Sequence, residues 1–206
     1  MTERASTPQV KICGITTLDD ALACVQAGAN ALGLNFWPRS KRRVTFEVAA
    51  QIARAVDVRL VAVVVDASPD ELARIRSIGV AWIQLHGAEP PAALEALLPH
   101  AYKALHVETE ADVEHALSWP GDELLVDART AELPGGTGLW ADWRLAERVA
   151  ARRPTWLAGG LDPDNVASAI EAVAPMGVDV ASGVESSPGQ KDLAKVEAFV
   201  RACRGS

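Results

Sequence analysis

The sequence alternates, from one end to the other, between short runs of β-branched and aliphatic residues and longer Ala-rich stretches with charges at helical spacing. Each apolar run predicts a buried strand, and each stretch that follows predicts a helix. Eight strands are predicted, over residues 10–13, 31–35, 60–65, 82–85, 101–107, 124–127, 155–158 and 178–181. Connections of this kind force parallel pairing, and eight units in 206 residues match the lower size range of a closed barrel. We therefore predict an α/β fold, the (β/α)8 TIM barrel.

Residues that start and stop helices fall where this scheme requires them. Helix starts are predicted at Thr17, Ser68, Asp142 and Asp162, and Gly28 and Gly79 stand where the first and third helices should end. An open doubly wound sheet is the alternative, but it would carry a nucleotide fingerprint after its first strand. The segment Cys13-Gly14-Ile15-Thr16 is no such fingerprint. No linker divides the chain, so we expect one domain over residues 1–206, with 1–8 and 204–206 as flexible tails.

Composition and charge exclude several classes of partner. A net charge of −7 argues against a nucleic-acid partner, because such binding needs a basic face. The three cysteines form no CxxC pair, so neither a disulfide framework nor a metal site is expected, and a cytoplasmic location fits best. Residues 1–8 lack the apolar core of a signal peptide, and no stretch approaches the roughly 20 apolar residues of a membrane span. We expect no membrane association.

Polar residues stand at the predicted carboxyl ends of the strands, where barrels of this kind hold their reactive groups. Cys13 ends the first strand and Asp127 ends the sixth, which makes them candidates for a base and an acid. The alternative is structural: most cysteines are inert packing residues, and an aspartate at a strand end often caps a turn. Cys24 and Cys203 are interpreted as packing residues.

Two glycine pairs indicate a phosphate site. Gly159-Gly160 follows the seventh strand and Ser182-Gly183 follows the eighth, and the loops after these strands bind phosphate in many barrels. The basic run 39–43 lies just past the second strand, where a guanidinium could bind a substrate carboxylate, although such a run is more often a solvated surface. The glycine-rich segment 129–139 after the sixth strand is interpreted as a mobile lid, with plain flexibility as the alternative.

Strand parity makes one further prediction. Residues two apart share a face, so if Cys13 points into the barrel mouth, Lys11 points into the barrel below it. Asp179 on the eighth strand should face Lys11, because that strand closes against the first. We predict a buried ion pair between Lys11 and Asp179 beneath the thiol, with Lys11 helping to lower the pKa of the thiol. The alternative is that Lys11 reaches out through the barrel floor.

The chain resembles the phosphoribosylanthranilate isomerases of tryptophan biosynthesis over nearly its whole length. Singly several of the shared motifs are weak, but in this order they are specific. The motifs are Lys11-Ile12-Cys13-Gly14-Ile15-Thr16, Gly33-Leu34-Asn35-Phe36 with Ser40-Lys41-Arg42 after it, Gln84-Leu85-His86-Gly87, Leu125-Val126-Asp127, Ala158-Gly159-Gly160-Leu161 with Pro163 and Asn165-Val166, Val178-Asp179-Val180, and Ser182-Gly183-Val184-Glu185.

This resemblance implies an Amadori rearrangement of N-(5-phosphoribosyl)anthranilate to 1-(2-carboxyphenylamino)-1-deoxyribulose 5-phosphate, in a barrel of the ribulose-phosphate-binding type. By the same similarity Cys13 is the general base and Asp127 the general acid. Arg42 would bind the anthranilate carboxylate, although Arg43 stands beside it, and His86 and Asp179 would contact the substrate. Gly159, Gly160, Ser182 and Gly183 match the phosphate site. Neither a metal nor an organic cofactor is implied.

Other functions remain open at this point. A histidine-pathway isomerase or an indole-glycerol-phosphate synthase would share the phosphate-binding barrel, but the first relies on two aspartates and the second on lysine and glutamate. A non-catalytic sugar-phosphate sensor would keep the glycine loops and leave Cys13 and Asp127 unexplained. The sequence leaves the choice between monomer and homodimer undecided.

Overall fold

Eight parallel strands form a closed barrel in the computed structural model, which describes residues 7–128 and 143–205. Each strand pairs with the next in sequence, and the eighth pairs with the first, so the predicted TIM barrel is confirmed. The strand ends agree with the predicted ones to within one residue. The strands are β1 Gln9–Cys13, β2 Ala31–Asn35, β3 Arg59–Val64, β4 Trp82–Leu85, β5 Ala101–His106, β6 Leu124–Asp127, β7 Thr155–Ala158 and β8 Gly177–Val180.

Helices follow the strands and cover the outside of the barrel. They are α1 Leu18–Ala27, α2 Phe46–Ala55, α3 Pro69–Ser77, α4 Pro91–Glu95, α5 Glu110–Ser118, α6 Arg144–Ala150, α7 Val166–Val173 and α8 Leu193–Cys203. The side chain of Thr17 caps α1, and Ser68 forms a capping box with Glu71 at α3, as predicted. Gly28 ends α1 in the left-handed conformation that a side chain disfavours.

Two apolar layers hold the barrel together. The larger layer lies between the strands and the helices, where alternate strand residues such as Ile12 and Leu32 are fully buried. A smaller cluster fills the barrel interior and includes Val61, Tyr102 and Trp156. Because the interior is packed with side chains, a ligand has access only to the ends of the barrel.

A short antiparallel hairpin follows β8 and was not predicted. Its strands are β9 Glu185–Ser187 and β10 Gln190–Lys191, and a single 3-10 turn over Ser182–Val184 leads into it. The hydroxyl of Thr16 donates to the carbonyl of Gly189 at 2.5 Å, so the hairpin packs against the segment after β1. The hairpin therefore returns Lys191 to the carboxyl end of β1.

Some predictions fall on residues that the structure does not describe. The segment 129–139, interpreted as a lid, and the predicted helix start at Asp142 lie outside the described residues, as do residues 1–6 and 206 of the predicted tails. Within the described ranges, every helix is too short or too polar to cross a bilayer.

Candidate active site

A cavity of about 360 Å³ opens at the carboxyl ends of the strands. Side chains and loops from β1, β2, β3, β4, β6, β7 and β8 meet there, although they are far apart in the sequence. Eight of the nine predicted site residues line it, namely Cys13, Arg42, His86, Asp127, Gly159, Gly160, Asp179 and Ser182. The candidate acid and the candidate base therefore face one shared space.

Gly183, the ninth predicted residue, does not line the cavity but packs against the loop after β7. A Cβ atom placed on it would lie 2.0 Å from the carbonyl oxygen of Leu161 and 3.0 Å from the Cα of Asp162. Only glycine lets the loops after β7 and β8 approach this closely. The loop after β7 is fixed in turn by Asn165, whose Nδ2 donates to the carbonyl of Gly160 at 2.9 Å.

Cys13 ends β1 and is half-buried in the cavity wall. Burial raises the pKa of its thiol, because the surrounding protein solvates a thiolate poorly. Lys11 and Lys191 act in the opposite direction, and Asp179 adds to the increase. The net direction is upward, so this pKa is not lowered overall, although Lys11 opposes the increase as predicted.

Lys11 and Asp179 form the predicted ion pair. The Nζ atom of Lys11 lies 2.8 Å from Oδ2 of Asp179, and the two residues are register partners across β1 and β8. Lys11 is fully buried, so the alternative that it reaches out through the barrel floor was wrong. The other carboxylate oxygen of Asp179, Oδ1, is buried and has no hydrogen-bond partner among the described residues. Because Asp179 also lines the cavity, this oxygen is a candidate contact for a ligand.

Arg42 lies at the cavity edge and is held there by Glu185. Its Nε and Nη2 atoms donate to the two carboxylate oxygens at 2.8 and 2.7 Å, a bidentate pair that engages one edge of the guanidinium. The edge formed by Nη1 and Nη2 can still bind a second carboxylate. Gly14 makes room for the arginine, because a Cβ there would lie 2.6 Å from its Cδ. Arg43 lines a different, smaller cavity with Phe46.

Glu185 and Lys191 are site residues to which sequence reasoning gave no role. The Nζ of Lys191, fully buried, donates to the carbonyl of Cys13 at 2.7 Å and to Oε1 of Glu185 at 3.1 Å. These contacts tie the candidate base Cys13, the hairpin and Arg42 into one cluster. The motif Ser182-Gly183-Val184-Glu185 contained the glutamate. Its contacts with Arg42 and Lys191 could not be predicted, because they depend on the path of the hairpin, which the sequence pattern does not specify.

Gln84 is the third residue that sequence reasoning missed. It lies on β4, one pleat below His86, which directly follows that strand. Gln84 is buried, whereas His86 is exposed to the cavity. Its amide contacts Lys11, Tyr102 and His86 at 3.1 to 3.2 Å. The pKa of His86 is lowered, mainly because protein atoms exclude water from the ring, while the negative charge of Asp127 partly opposes this.

Comparison with known families bears directly on this arrangement. Residues 10–202 match the family model described as "N-(5'phosphoribosyl)anthranilate (PRA) isomerase". Curated isomerases of that name from Magnetococcus marinus and Myxococcus xanthus are each 44% identical to the chain. The first alignment covers 95% of both chains, and the second covers 95% of this chain and 96% of the relative.

Solved structures agree with the sequence matches. The phosphoribosyl anthranilate isomerase of Thermotoga maritima superposes with a TM-score of 0.87 at 39% identity, covering 97% of this chain and all of the other. A second isomerase structure, in complex with reduced 1-(o-carboxyphenylamino)-1-deoxyribulose 5-phosphate, gives a TM-score of 0.84 at 37% identity with the same coverage. The chain belongs to the N-(5'-phosphoribosyl)anthranilate isomerase family.

Proposed function

We propose that the cavity at the barrel mouth is where this chain carries out the isomerisation for which its family is named, the Amadori rearrangement of N-(5-phosphoribosyl)anthranilate in tryptophan biosynthesis. Cys13 is the general base and Asp127 the general acid. The observation that carries this assignment is that the two residues, which end β1 and β6, line the same cavity. The substrate is a phosphorylated small molecule.

The rearrangement requires one acid and one base acting in turn. Asp127 gives its proton to the furanose ring oxygen, the bond from that oxygen to C1 breaks, and the anthranilate nitrogen becomes an iminium. The thiolate of Cys13 then removes the proton from C2, which yields an enolamine. The enolamine gains a proton at C1 and loses one from the C2 hydroxyl to give the ketone, so atoms and electrons balance without an external oxidant or reductant.

The raised pKa of Cys13 fits this order of events. The resting site keeps the thiol mostly neutral, because burial outweighs the two nearby lysines. The iminium places a new positive charge in the cavity just before C2 must lose its proton. That positive charge stabilises the thiolate and lowers the pKa of the thiol, so the thiol releases its proton to solvent just before the step that uses the thiolate.

The remaining site residues orient the substrate. We assign the anthranilate carboxylate to the Nη1 and Nη2 edge of Arg42, because Glu185 holds the opposite edge. The phosphate is assigned to the backbone of Gly159, Gly160, Ser182 and Gly183. His86 and Asp179 contact the ligand between these two anchors. Oδ1 of Asp179 would accept a hydrogen bond from a sugar hydroxyl, which would satisfy a buried oxygen that otherwise lacks a partner.

The assignment is tested by adding phosphoribosylanthranilate and following the loss of its fluorescence. Cys13→Ala and Asp127→Asn should each lower kcat by about 10² to 10⁴-fold, the usual effect of removing a general acid or base. Cys24→Ala and Asp122→Asn are matched controls, because Cys24 lies on the buried face of α1, away from the cavity, and Asp122 is exposed before β6. Both controls should retain wild-type turnover.

Two results would contradict the proposal. Full turnover in either site variant would remove that residue from the mechanism. Binding of the substrate without any turnover by the wild-type chain would instead favour a sugar-phosphate sensor. We also propose a cytoplasmic location, supported by the metabolic role of the family and by the free cysteines.

A further inference from the structure

The amide of Gln84 lies beneath the active-site cavity in contact with three polar groups. Its Oε1 is 3.1 Å from Nζ of Lys11 and 3.2 Å from the hydroxyl of Tyr102, and its Nε2 is 3.1 Å from Nδ1 of His86. Gln84 is only 2% exposed, and Lys11 and Tyr102 are fully buried. Because the Gln84 amide itself is buried, each of these contacts must join a donor to an acceptor.

Lys11 decides which way the amide points. A lysine ammonium has donors only, so the group that faces it must be the amide oxygen. The amide NH2 group therefore faces the ring of His86. That group has no lone pair to offer, so the Nδ1 atom it contacts must be an acceptor and carries no hydrogen.

The tautomer of His86 follows from this chain of contacts. A neutral imidazole without a hydrogen on Nδ1 carries it on Nε2, at the opposite edge of the ring. Nδ1 points down toward Gln84, so Nε2 points away from it, toward the cavity that His86 and Asp127 both line. We propose that Gln84 is a positioning residue that holds His86 as the neutral Nε2–H tautomer, so that the ring presents a hydrogen-bond donor to the active site.

This arrangement deepens the proposed function and rests on it for its chemical use. When Asp127 has given up its proton, negative charge appears in the cavity, and an N–H donor stabilises that charge. An imidazole with the opposite tautomer would present a lone pair instead and would repel it. Lys11 thus contributes twice, as the partner of Asp179 and as the group that orients the Gln84 amide.

Burial favours the neutral form of the ring and outweighs the surrounding charges. Lys11 and Lys103 lower the pKa of His86, in the same direction as burial, and Asp127 and Asp179 raise it. A hydrogen on Nδ1 would additionally meet the hydrogens of the Gln84 amide. Burial and this repulsion keep the ring uncharged. The property that Gln84 controls is therefore the tautomer of the neutral ring.

The test is nitrogen NMR of the full chain with labelled histidine, in which long-range proton-nitrogen correlations distinguish pyridine-type from pyrrole-type ring nitrogens. The signals of His86 are assigned from their absence in His86→Asn. At neutral pH the wild type should show a pyridine-type Nδ1 and a pyrrole-type Nε2. A pyrrole-type Nδ1 in the wild type would overturn the proposal without the need for any variant.

Variants of the amide test whether Gln84 is the cause. In Gln84→Glu the carboxylate accepts a hydrogen from the ring, so Nδ1 should become pyrrole-type. Tyr102→Phe is the matched control, because it removes one contact to Oε1 but keeps Lys11, and its His86 signals should match the wild type. Unchanged signals in Gln84→Glu, or altered ones in Tyr102→Phe, would show that the amide does not set the tautomer.

Kinetics provide a separate readout. Gln84→Glu should lower kcat by about 10- to 100-fold, the equivalent of losing one hydrogen bond to a charged group, with a smaller change in KM. An altered tautomer with unchanged kcat would overturn the catalytic use of the donor. Failure of the proposed function can be distinguished from failure of the tautomer proposal. If the wild-type chain does not turn over phosphoribosylanthranilate, the proposed function fails, but the wild-type NMR spectrum should still show the predicted tautomer.

Discussion

Nζ of Lys11 donates to Oδ2 of Asp179 at 2.8 Å across the seam where β1 and β8 close the barrel. The pair lies one pleat below Cys13, which ends β1. Both charges are removed from water, so their attraction must offset a large loss of solvation. The pair raises the pKa of Lys11 above its ordinary value even though burial alone would lower it, and the lysine therefore remains a cation beneath the thiol.

Replacing Lys11 by Met should raise the pKa of Cys13 further, because it removes a positive charge and leaves Asp179 unopposed. The pH dependence of alkylation by iodoacetamide measures this, with Cys13→Ser as the blank for the other two cysteines. We expect the midpoint to move to higher pH. An unchanged midpoint would show that Lys11 does not act on the thiol.

The same variant should lower the free energy of unfolding by about 3–5 kcal/mol, since it strands a buried carboxylate. The double variant Lys11→Met/Asp179→Leu removes both charges and should recover part of that loss in urea unfolding. Recovery of stability in the double variant would show that the loss in Lys11→Met comes from the unpaired charge of Asp179. If the loss came only from poorer packing, the second substitution would increase it.

Glu185→Gln should weaken substrate binding by releasing Arg42. The glutamine side chain keeps the shape of the glutamate but loses its charge and its bidentate contact with the guanidinium. A hydrogen bond to a charged group contributes about 1.5–3 kcal/mol, so KM for phosphoribosylanthranilate should rise by roughly 10- to 100-fold. Arg43→Ala is the control, because Arg43 is exposed and lines a different cavity. An equal rise in KM for the control would favour Arg43 as the carboxylate ligand.

Folding stability should fall in acid partly through Glu185. Burial alone would raise its pKa, but the hydrogen bond from Arg42 and the charge of Lys191 outweigh burial, and the folded-state pKa is lowered. A lowered carboxylate pKa stabilises the fold above the unfolded value of about 4.3 and loses that contribution as the pH falls through the folded value. Urea unfolding at a series of pH values should therefore show a shallower acid decline for Glu185→Gln than for the wild type. If the free energy of unfolding declined equally with falling pH in both proteins, Glu185 would not contribute to the acid sensitivity.

Gly183→Ala should separate the loops after β7 and β8. The added methyl group would lie 2.0 Å from the carbonyl oxygen of Leu161, which is part of the backbone and cannot move aside cheaply. Affinity for inorganic phosphate, measured by calorimetry, should fall by at least tenfold. Ser182→Ala, which changes an exposed side chain on the cavity rim, should have a smaller effect. The reverse order would indicate that the hydroxyl, and not the loop geometry, binds the phosphate.

The fold could be predicted from the sequence because its signals are local. Strand and helix periods, the cap at Thr17 and the glycine after α1 each depend on a few adjacent residues. Strand parity extended this to the pair Lys11 and Asp179, which are distant in sequence but fixed by barrel closure. Gln84 and His86 are also two residues apart at the end of one strand, so strand parity could have predicted their contact as well.

Other parts of the site depend on geometry that no local pattern encodes. Lys191 reaches the carbonyl of Cys13 only because a hairpin after β8 turns back over the barrel mouth. The direction of the Cys13 pKa could not be predicted either, since it reflects a balance between burial and three charged neighbours contributed by three different segments. Predicting such a pKa requires the distances between the charged groups and the thiol. A sequence pattern gives only which charged residues are present.

Gly177→Ala should destabilise the barrel floor without changing the chemistry. A Cβ at this position would lie 2.6 Å from the ring of Trp156, which is fully buried in the barrel interior and cannot rotate away. Overpacking of this kind costs about 1–3 kcal/mol, so the urea midpoint should fall while kcat of the folded enzyme stays the same. Combining it with Trp156→Phe should restore part of the loss relative to Trp156→Phe alone, because the smaller ring frees the space that the methyl group needs. A cost that is equal in both backgrounds would place the strain in the backbone at Gly177 and not in its contact with the tryptophan.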